Sequence, residues 1–418
     1  MNDSEKENIE EVVNPWLLTT YYKRLFPTHV YCKWLAYGEP TNSQLFSNRE
    51  FSFTRGNDIY CRHLSFTNHL EFEKELLRPP IASKIDIGAV FTIKVPSNQY
   101  QPTERELVFD IDLTDYDDVR FCCVLGSNSI QDNLLGFSEA DICKKCWSLA
   151  KVAIKIIDKA LQDDFGFEQR LWIYSGRRGV HCWVCDPQAR ELQPSGRSAI
   201  VEYLTLVTGG ENTSKRVSFS QPLHSSIQRA KQFIQEMFIR YACVDQAFLD
   251  LLLKFDTSPQ RWAAFNRYVE NETKNTKSRY PSKYLSSIID EIQFEYCYPR
   301  LDVNVTKGIN HLLKSPFSIH PKTGRVCVPI DVTKIDSFDP FTVPELRTLC
   351  QQVDALGVTH QSTGIAQQDG KHRSKDYNQT SLKPYVELFS KFVQKTQMNN
   401  LEETLAKSDL KAMITGDI

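Results

Sequence analysis

Two aspartates separated by one residue are the clearest chemical signal in this 418-residue sequence. Asp110 and Asp112 stand in Glu106–Leu113, where apolar residues alternate with them at the period of two that predicts a β-strand. Side chains two apart share a strand face, so both carboxylates point the same way with Cα atoms roughly 6.6 Å apart. Such a pair suits two divalent cations about 3.5–4 Å apart, as used in phosphoryl transfer. The alternative is a strand edge with solvated acids.

A second signal is the stretch Ser175–Gly179, which reads Ser-Gly-Arg-Arg-Gly between two strand-like segments. Its glycines permit a tight hairpin loop, which holds Arg177 and Arg178 at its tip. His181 follows at the start of the second strand. Guanidinium groups match phosphate oxygens in bidentate fashion, and an imidazole adds a donor, so this loop predicts phosphate binding. A solvated Arg-Arg turn is the alternative.

A third acid and further cations occur later in the chain. Leu301–Val305 alternates apolar and polar residues, which predicts a strand with Asp302 on its polar face. An acid from distant sequence would complete the ligand set of a two-cation site. In the segment His311–Pro321, Lys314 and His320 are candidates for neutralising a triphosphate.

Cysteine spacing indicates a structural zinc site. Four thiolates could form a zinc knuckle: Cys122, Cys123, Cys143 and Cys146. A second pair, Cys182 and Cys185, lies on a predicted strand, where positions three apart face opposite sides. We therefore interpret that second pair as buried structural cysteines.

Composition limits the possible functions. The net charge is −2, so nucleic acid would be bound by local patches and not by a strongly basic surface. No apolar run approaches the ~18 residues of a membrane span. The acidic, polar start of the sequence does not resemble a secretory signal peptide, so we expect reduced cysteines. P-loop, G-x-S-x-G and H-E-x-x-H motifs do not occur in the sequence.

These elements predict an α/β (α+β) fold with a mixed sheet, an inserted α-helical subdomain and a zinc knuckle. A long amphipathic helix with possible caps at Ser138 and Asp141 precedes the arginine loop. The predicted divisions are a flexible acidic tail at 1–12, a discontinuous catalytic core at 13–190 and 291–418, the zinc knuckle at 122–146, a helical subdomain at 191–290 and a mobile loop at 351–380.

Taken in order, these motifs resemble the catalytic small subunit of archaeo-eukaryotic DNA primases, in its eukaryotic form. The resemblance is carried by three long stretches: Glu106–Asp112, Tyr174–Val184 and His311–Phe317. It extends from about Tyr21 to the C-terminal helix. It implies a primase catalytic core.

The resemblance also implies roles for individual residues. Asp110, Asp112 and Asp302 would hold two Mg²⁺ or Mn²⁺ ions. The nucleotide would be held by Ser175, Gly176, Arg177, Arg178, Gly179, His181, His311, Lys314 and His320. Three N-terminal residues receive active-site roles only through the resemblance: Glu50 as a catalytic residue, and Arg62 and Asp86 in nucleotide binding, with Asp86 near the ribose. The zinc knuckle departs from the family, because 126–137 lengthens the loop between its cysteine pairs.

The implied function is a DNA-directed RNA polymerase, a primase, that makes short RNA primers on single-stranded DNA from ribonucleoside triphosphates. The resemblance implies an iron–sulphur large subunit, the DNA polymerase alpha complex and a nuclear location, with no membrane association. From the residues alone, two alternatives stay open: a two-metal nuclease or phosphatase that uses the same acids, and a non-catalytic zinc-knuckle binding module.

Overall fold

The fold combines helices with two antiparallel sheets, which confirms the predicted α+β class. The computed structural model describes residues 12–40, 43–56, 58–96, 101–120, 122, 142–207, 217–219, 222–241, 258–274, 282–362 and 376–415. Every strand pairing within these ranges is antiparallel. No helix in them is both long and apolar enough to cross a membrane. Apart from Val12, the predicted acidic tail lies outside the described residues.

The first sheet presents a polar face toward the second sheet. Its strands are β1 (Arg49–Arg55), β2 (Ile59–Leu64), β3 (Ala82–Phe91), β4 (Pro102–Glu104) and β8 (Leu313–Lys314). They run in the order β2-β1-β3-β4, with β8 also paired to β3. Phe51 and Phe53 alternate with Glu50 and Ser52, so one face joins the core while the other carries polar groups.

The second sheet carries the Asp-x-Asp motif and the arginine loop side by side. It consists of β5 (Leu107–Asp112), β6 (Arg170–Tyr174), β7 (Gly179–Val184) and β9 (Pro329–Ile330), in the order β5-β7-β6-β9. In the register of β5 with β7, Asp110 lies opposite His181 and Asp112 lies opposite Gly179. The predicted hairpin of β6 and β7 is confirmed.

Thirteen α-helices occur within the described ranges. They are α1 (Pro15–Thr20), α2 (Thr28–Ala36), α3 (Gln44–Ser47), α4 (His69–Leu76), α5 (Lys144–Asp163), α6 (Pro187–Arg190), α7 (Pro194–Leu204), α8 (Ser225–Tyr241), α9 (Ser258–Lys274), α10 (Ser282–Cys297), α11 (Val303–Lys307), α12 (Leu346–Ser362) and α13 (Lys383–Thr415). The predicted amphipathic helix is α5, whose apolar face is buried. Its predicted caps, Ser138 and Asp141, lie outside the described residues.

Shorter helical turns occur between these elements. Tyr21–Leu25 forms a π-helix, and three 3₁₀ helices cover Leu113–Tyr116, Val332–Ser337 and Asp376–Gln379. The core connects the layers through aromatic contacts. Trp34 of α2 packs against Trp183 of β7 and Phe389 of α13, with ring centroids 5.5 and 5.6 Å apart. The N-terminal helices and the C-terminal helix are therefore held on the second sheet by one aromatic cluster.

The strand predicted at Leu301–Val305 is wrong. Asp302 is the N-cap of α11, and its side chain accepts a hydrogen bond from the backbone N–H of Asn304 at 3.0 Å. Five residues are too few to separate a period of two from a helical period, so the alternation was ambiguous. An aspartate side chain can accept a hydrogen bond from the backbone N–H two residues later, and this favours a capped helix.

The mobile loop predicted at 351–380 is wrong over much of its length. Residues 351–362 belong to α12, and Asp376–Gln379 is a 3₁₀ helix. The buried face of α12 is formed by Leu346, Leu349, Cys350 and Val353. Most of this apolar pattern precedes residue 351, so the polar composition after it hid the helix. Residues 363–375 lie outside the described part of the chain.

One buried ion pair joins the two sheets. Arg49 of β1 donates two hydrogen bonds of 2.9 Å to the carboxylate of Glu106, just before β5, and both side chains are fully buried. The Tyr37 hydroxyl donates to the same carboxylate. Burial alone would raise the pKa of Glu106, but Arg49 and Tyr37 outweigh it and lower the pKa to about 2.

We expect Glu106→Gln to destabilise the protein by about 3–5 kcal/mol, because it leaves the Arg49 charge buried without its partner. The folded-state pKa of Glu106 is lowered, so its stabilisation is present above about pH 4.5 and is lost as the pH falls toward 2. Urea unfolding at pH 7 and at pH 3 measures both effects. Glu387→Gln, in an exposed pair with Lys383, is the control and should change stability by less than about 0.5 kcal/mol. An equal, small effect of both variants would contradict the role of the pair.

Candidate active site

A cleft of about 280 Å³ lies where the polar faces of the two sheets meet. It is lined by Lys84, Asp86, Asp110, Asp112, Ser175, Arg177, Arg178, Gly179, His181, His311, Leu312, Leu313, Lys314 and His320. A larger cavity of about 640 Å³ between α5 and α8 is lined mainly by residues of α5, four of which are lysines. The concentration of acids, and not cavity size, identifies the candidate site.

A backbone contact brings the distant acid to the Asp-x-Asp strand. The N–H of Asp302 donates to the carbonyl oxygen of Asp110 at 3.1 Å. Two residues earlier, the N–H of Arg300 donates to the hydroxyl of Tyr116 at 3.0 Å, in the 3₁₀ helix that follows β5. The segment before α11 is thus fixed to both the strand and the turn after it.

The acids shift one another's protonation. Burial, then the negative charges of Asp112 and Asp302, raise the pKa of Asp110 to about 7. The same causes raise the pKa of Asp115 to about 6. A bound cation would favour the ionised form of such a carboxyl group and would lower its raised pKa. Carboxylate oxygens are hard ligands, so the donor set fits Mg²⁺ or Mn²⁺.

Asp112 differs because it already has partners. Burial would raise its pKa, but the N–H of Thr114, at 2.9 Å, and the Arg178 guanidinium outweigh burial and lower the pKa. Arg178 Nε lies 2.8 and 2.9 Å from the two carboxylate oxygens. Although Arg178 is predicted to bind a triphosphate, in this structure its guanidinium neutralises Asp112.

The glycines of the arginine loop allow close approach to neighbouring segments. Gly176 has φ +90°, and a Cβ there would lie 2.6 Å from the Cβ of His320. A Cβ at Gly179 would lie 2.8 Å from the carbonyl oxygen of Ile111. The Ser175 hydroxyl accepts a hydrogen bond of 3.1 Å from the Gly179 N–H, which closes the loop. Larger residues would therefore separate the loop from β5 and from His320.

Cationic and imidazole groups line the cleft beside the acids. Lys314 Nζ donates to the carbonyl oxygen of Ser175 at 3.3 Å. Burial, then the Lys314 charge, lower the pKa of His181 to about 3. The same two causes, with Arg177 and Arg178, lower the pKa of His320 to about 2. Burial also lowers the pKa of Lys314. These groups repel one another, so a bound polyanion would relieve the repulsion.

His311 also lines the cleft. Burial, then the charge of Arg105, lower the pKa of His311. Its N–H donates to the carbonyl oxygen of Gly308 at 3.2 Å, in the turn that connects α11 to β8. The charges of Asp302 and Arg62 also act on His311, so it is close to both acidic and cationic groups.

The three residues known only from the resemblance lie on the first sheet. Glu50 is buried and accepts from Arg62 Nε at 3.3 Å, beside the cleft on β1 and β2. Asp86 lines the cleft itself, with Lys84 Nζ 3.0 Å away and the Tyr60 hydroxyl 3.4 Å away. Among the described residues, the cleft lining thus includes Asp86, whereas Glu50 and Arg62 pair with each other next to it.

Sequence reasoning assigned no role to Lys84, Thr114 or Asp115. Lys84 shares a strand face with Asp86, and that spacing of two could have indicated it. Thr114 and Asp115 follow the Asp-x-Asp strand in a 3₁₀ helix. An aspartate two residues before a threonine is a helix-capping pattern, and this pattern could have indicated Thr114.

Three of the four predicted zinc ligands come together at the start of α5. The sulfur atoms of Cys122, Cys143 and Cys146 lie within 4.8 Å of one another. Cys123 lies outside the described residues. Thiolates are soft ligands, so this group fits zinc. Cys182 and Cys185 are both buried, as their strand position predicts.

Comparison with known proteins identifies the family. The model of the DNA primase small subunit family matches residues 109–332. The chain is 40% identical to the DNA primase small subunit of Drosophila melanogaster over 428 aligned residues, which cover 93% of each protein. It is 35% identical to that of Schizosaccharomyces pombe, covering 89% of this chain and 87% of the relative. It is 37% identical to that of Caenorhabditis elegans, covering 91% and 97%. The chain therefore belongs to the DNA primase small subunit family.

Proposed function

We propose that this chain synthesises short RNA primers on single-stranded DNA, as the catalytic subunit of a heterodimeric primase. The reaction is nucleotidyl transfer from ribonucleoside triphosphates with release of pyrophosphate. The proposal is supported above all by one arrangement: Asp110 and Asp112 share a single cleft with several cationic side chains, and Asp302 is bonded to the backbone of Asp110. A nuclease could use the acids, but it has no need of cations arrayed for a triphosphate.

Asp110, Asp112 and Asp302 would hold two Mg²⁺ or Mn²⁺ ions. When bound, these ions activate the primer 3′-hydroxyl and stabilise the charge that develops on the triphosphate. The protein's contribution is to fix the three carboxylates at one place through strand register and the Asp302 N–H. Glu50 would act beside them as a further catalytic acid.

The cationic and imidazole groups of the cleft would bind the triphosphate. Arg177, Arg178 and Lys314 would supply positive charge, and His181 and His320 would supply N–H donors. Arg178 would exchange its present partner, Asp112, for phosphate oxygens.

The remaining nucleotide contacts would come from the edges of the cleft. Ser175, Gly176 and Gly179 would give the loop the shape to approach phosphate, and His311 would stand next to it. Asp86, which lines the cleft on the first sheet, would lie near the ribose, and Arg62 would make a further contact to the nucleotide.

The same reasoning extends to partners and organisation. The relatives are named small subunits, which implies a large subunit and a DNA template. We infer that the large subunit carries an iron–sulphur cluster, that the DNA polymerase alpha complex extends the primer, and that the protein acts in the nucleus. We infer a catalytic core at 13–190 and 291–418, with a zinc knuckle at 122–146 and a helical subdomain at 191–290.

A synthesis assay tests the proposed function directly. The chain, with and without the large subunit, is incubated with single-stranded DNA, Mn²⁺ and labelled ribonucleotides. A ladder of short RNA supports the proposal. Degraded template without RNA would instead support a nuclease.

We expect Asp110→Asn to lower RNA synthesis by on the order of 10³-fold or more. Asparagine has nearly the shape of aspartate, but it lacks the carboxylate that would bind the metal. The fold should be retained, since the change also removes a repelling charge. Thermal unfolding provides the control: Mn²⁺ should raise the melting temperature of the wild-type chain but not that of the variant. Unchanged synthesis would contradict the assigned role.

Arg178→Ala should raise the KM for ribonucleotides about 10-fold to 100-fold, with a smaller change in kcat, because it removes a charged donor to phosphate. Steady-state kinetics with varied nucleotide measures both constants. Lys334→Ala, at an exposed position outside the cleft, should leave them unchanged. A KM for Arg178→Ala equal to that of the wild type would show that Arg178 serves only Asp112.

Cys143→Ser should release the structural zinc, because it removes one of the three clustered thiolates. Metal analysis of the purified protein measures zinc content. Cys350→Ala, which alters a buried cysteine of α12, is the matched control and should retain the metal. Equal zinc content in all three proteins, or none in the wild type, would be inconsistent with a zinc knuckle.

A further inference from the structure

A buried arginine lies between the strand of the Asp-x-Asp motif and the helix of the third acid. Arg105 precedes β5 by two residues and is fully buried. Its Nη1 donates to the carbonyl oxygens of Gly308 at 2.5 Å and Val305 at 3.4 Å. Both carbonyls are at the C-terminal end of α11, whose N-cap is Asp302. The guanidinium therefore connects the two segments that supply the acids.

The backbone of Arg105 is fixed as firmly as its side chain. Its N–H donates to the carbonyl oxygen of Arg190 at 3.0 Å, and its carbonyl accepts from the guanidinium of Arg197. Arg197 is itself fully buried and also donates to the carbonyl oxygen of Glu106 at 3.1 Å. The base of the Arg105 side chain is thus held rigidly at the start of β5.

The turn after α11 depends on the same contact. The carbonyl oxygen of Gly308 that accepts from Arg105 also accepts from the N–H of His311. Two residues further on, β8 begins with Leu313 and carries Lys314 into the cleft. The Arg105 guanidinium therefore contacts the segment that connects Asp302 to Lys314.

Stability alone does not account for this arginine. Nε and Nη2 of Arg105 have no hydrogen-bond partner among the described residues. A buried guanidinium with unsatisfied donors is costly, and an apolar side chain of similar size could fill the site without that penalty. What an apolar side chain could not do is hold two carbonyl oxygens in a defined direction. The contact is thus better suited to positioning than to stabilising.

We propose that Arg105 is a positioning residue that fixes Asp302 relative to Asp110 and Asp112, and thereby sets the affinity of the site for divalent cations. The inference rests on the proposed function, because it requires a cation at these three acids. Arg105 is fully buried and does not line the cleft, so it acts through α11.

The test measures Mn²⁺ binding to the full-length chain, by the paramagnetic resonance of free Mn²⁺, without any turnover. The site is defined as the Mn²⁺ binding that Asp110→Asn abolishes. Arg105→Met should weaken this binding about 10-fold to 100-fold, the range typical of residues that orient metal ligands. Arg105→Lys should recover part of the affinity, because an ammonium group can still donate to one of the carbonyls.

Arg55 provides the matched control. It is also buried, and it donates to the carbonyl oxygens of Arg78 and Pro80 at 2.7 Å and Glu75 at 2.8 Å, away from the cleft. Arg55→Met should leave Mn²⁺ affinity unchanged, whatever its effect on the melting temperature. Thermal unfolding of all variants separates loss of stability from loss of positioning.

Three outcomes would overturn the inference. The first is wild-type Mn²⁺ affinity in folded Arg105→Met. The second is an equal loss of affinity in Arg55→Met. The third applies if Arg105→Met does not fold. Arg105→Lys is then measured instead, and a Mn²⁺ affinity equal to that of the wild type would contradict the inference. Failure of the proposed function looks different: the wild-type chain itself would show no Mn²⁺ binding that Asp110→Asn removes.

Discussion

The constraint on which the site depends is the meeting of three carboxylates in one half-buried cleft. The register of β5 sets two of them on one face, and the backbone hydrogen bond from Asp302 to Asp110 helps to bring in the third. Burial, then the negative charges of the other two, raise the pKa of Asp110 to about 7. A fold that holds like charges together has to compensate them, and cationic side chains line the same cleft.

Acidic and cationic side chains are interspersed in the cleft. Arg178 neutralises Asp112, and Lys314 lies opposite Asp86 where β8 pairs with β3. Burial, then the Lys314 charge, lower the pKa of His181 to about 3. A metal-bound triphosphate carries both cations and phosphate oxygens, so it is complementary to a cleft that offers both acidic and cationic groups.

The sequence predicted the parts of the site that lie on strands. The alternation in β5 indicated that Asp110 and Asp112 share a face, and the glycines of Ser175–Gly179 indicated the hairpin of β6 and β7. Asp302 was recognised as an acid but given a strand, because a five-residue helix carries no resolvable period. Glu50 and Asp86 are isolated acids on β1 and β3 whose meeting depends on sheet pairing, which no local pattern encodes. Long-range contacts therefore limited the prediction more than local structure did.

Charge, more than apolar packing, fixes the start of β5. Arg49 binds the Glu106 carboxylate, Arg197 binds the carbonyls of residues 105 and 106, and Arg105 reaches α11. Apolar contacts are non-directional and tolerate small shifts, whereas a guanidinium fork fixes both distance and angle. A site whose ligands come from separate segments has to hold them within about 0.5 Å. Burying three guanidiniums beside β5 is a physical means of meeting that tolerance, which a purely apolar core would not provide.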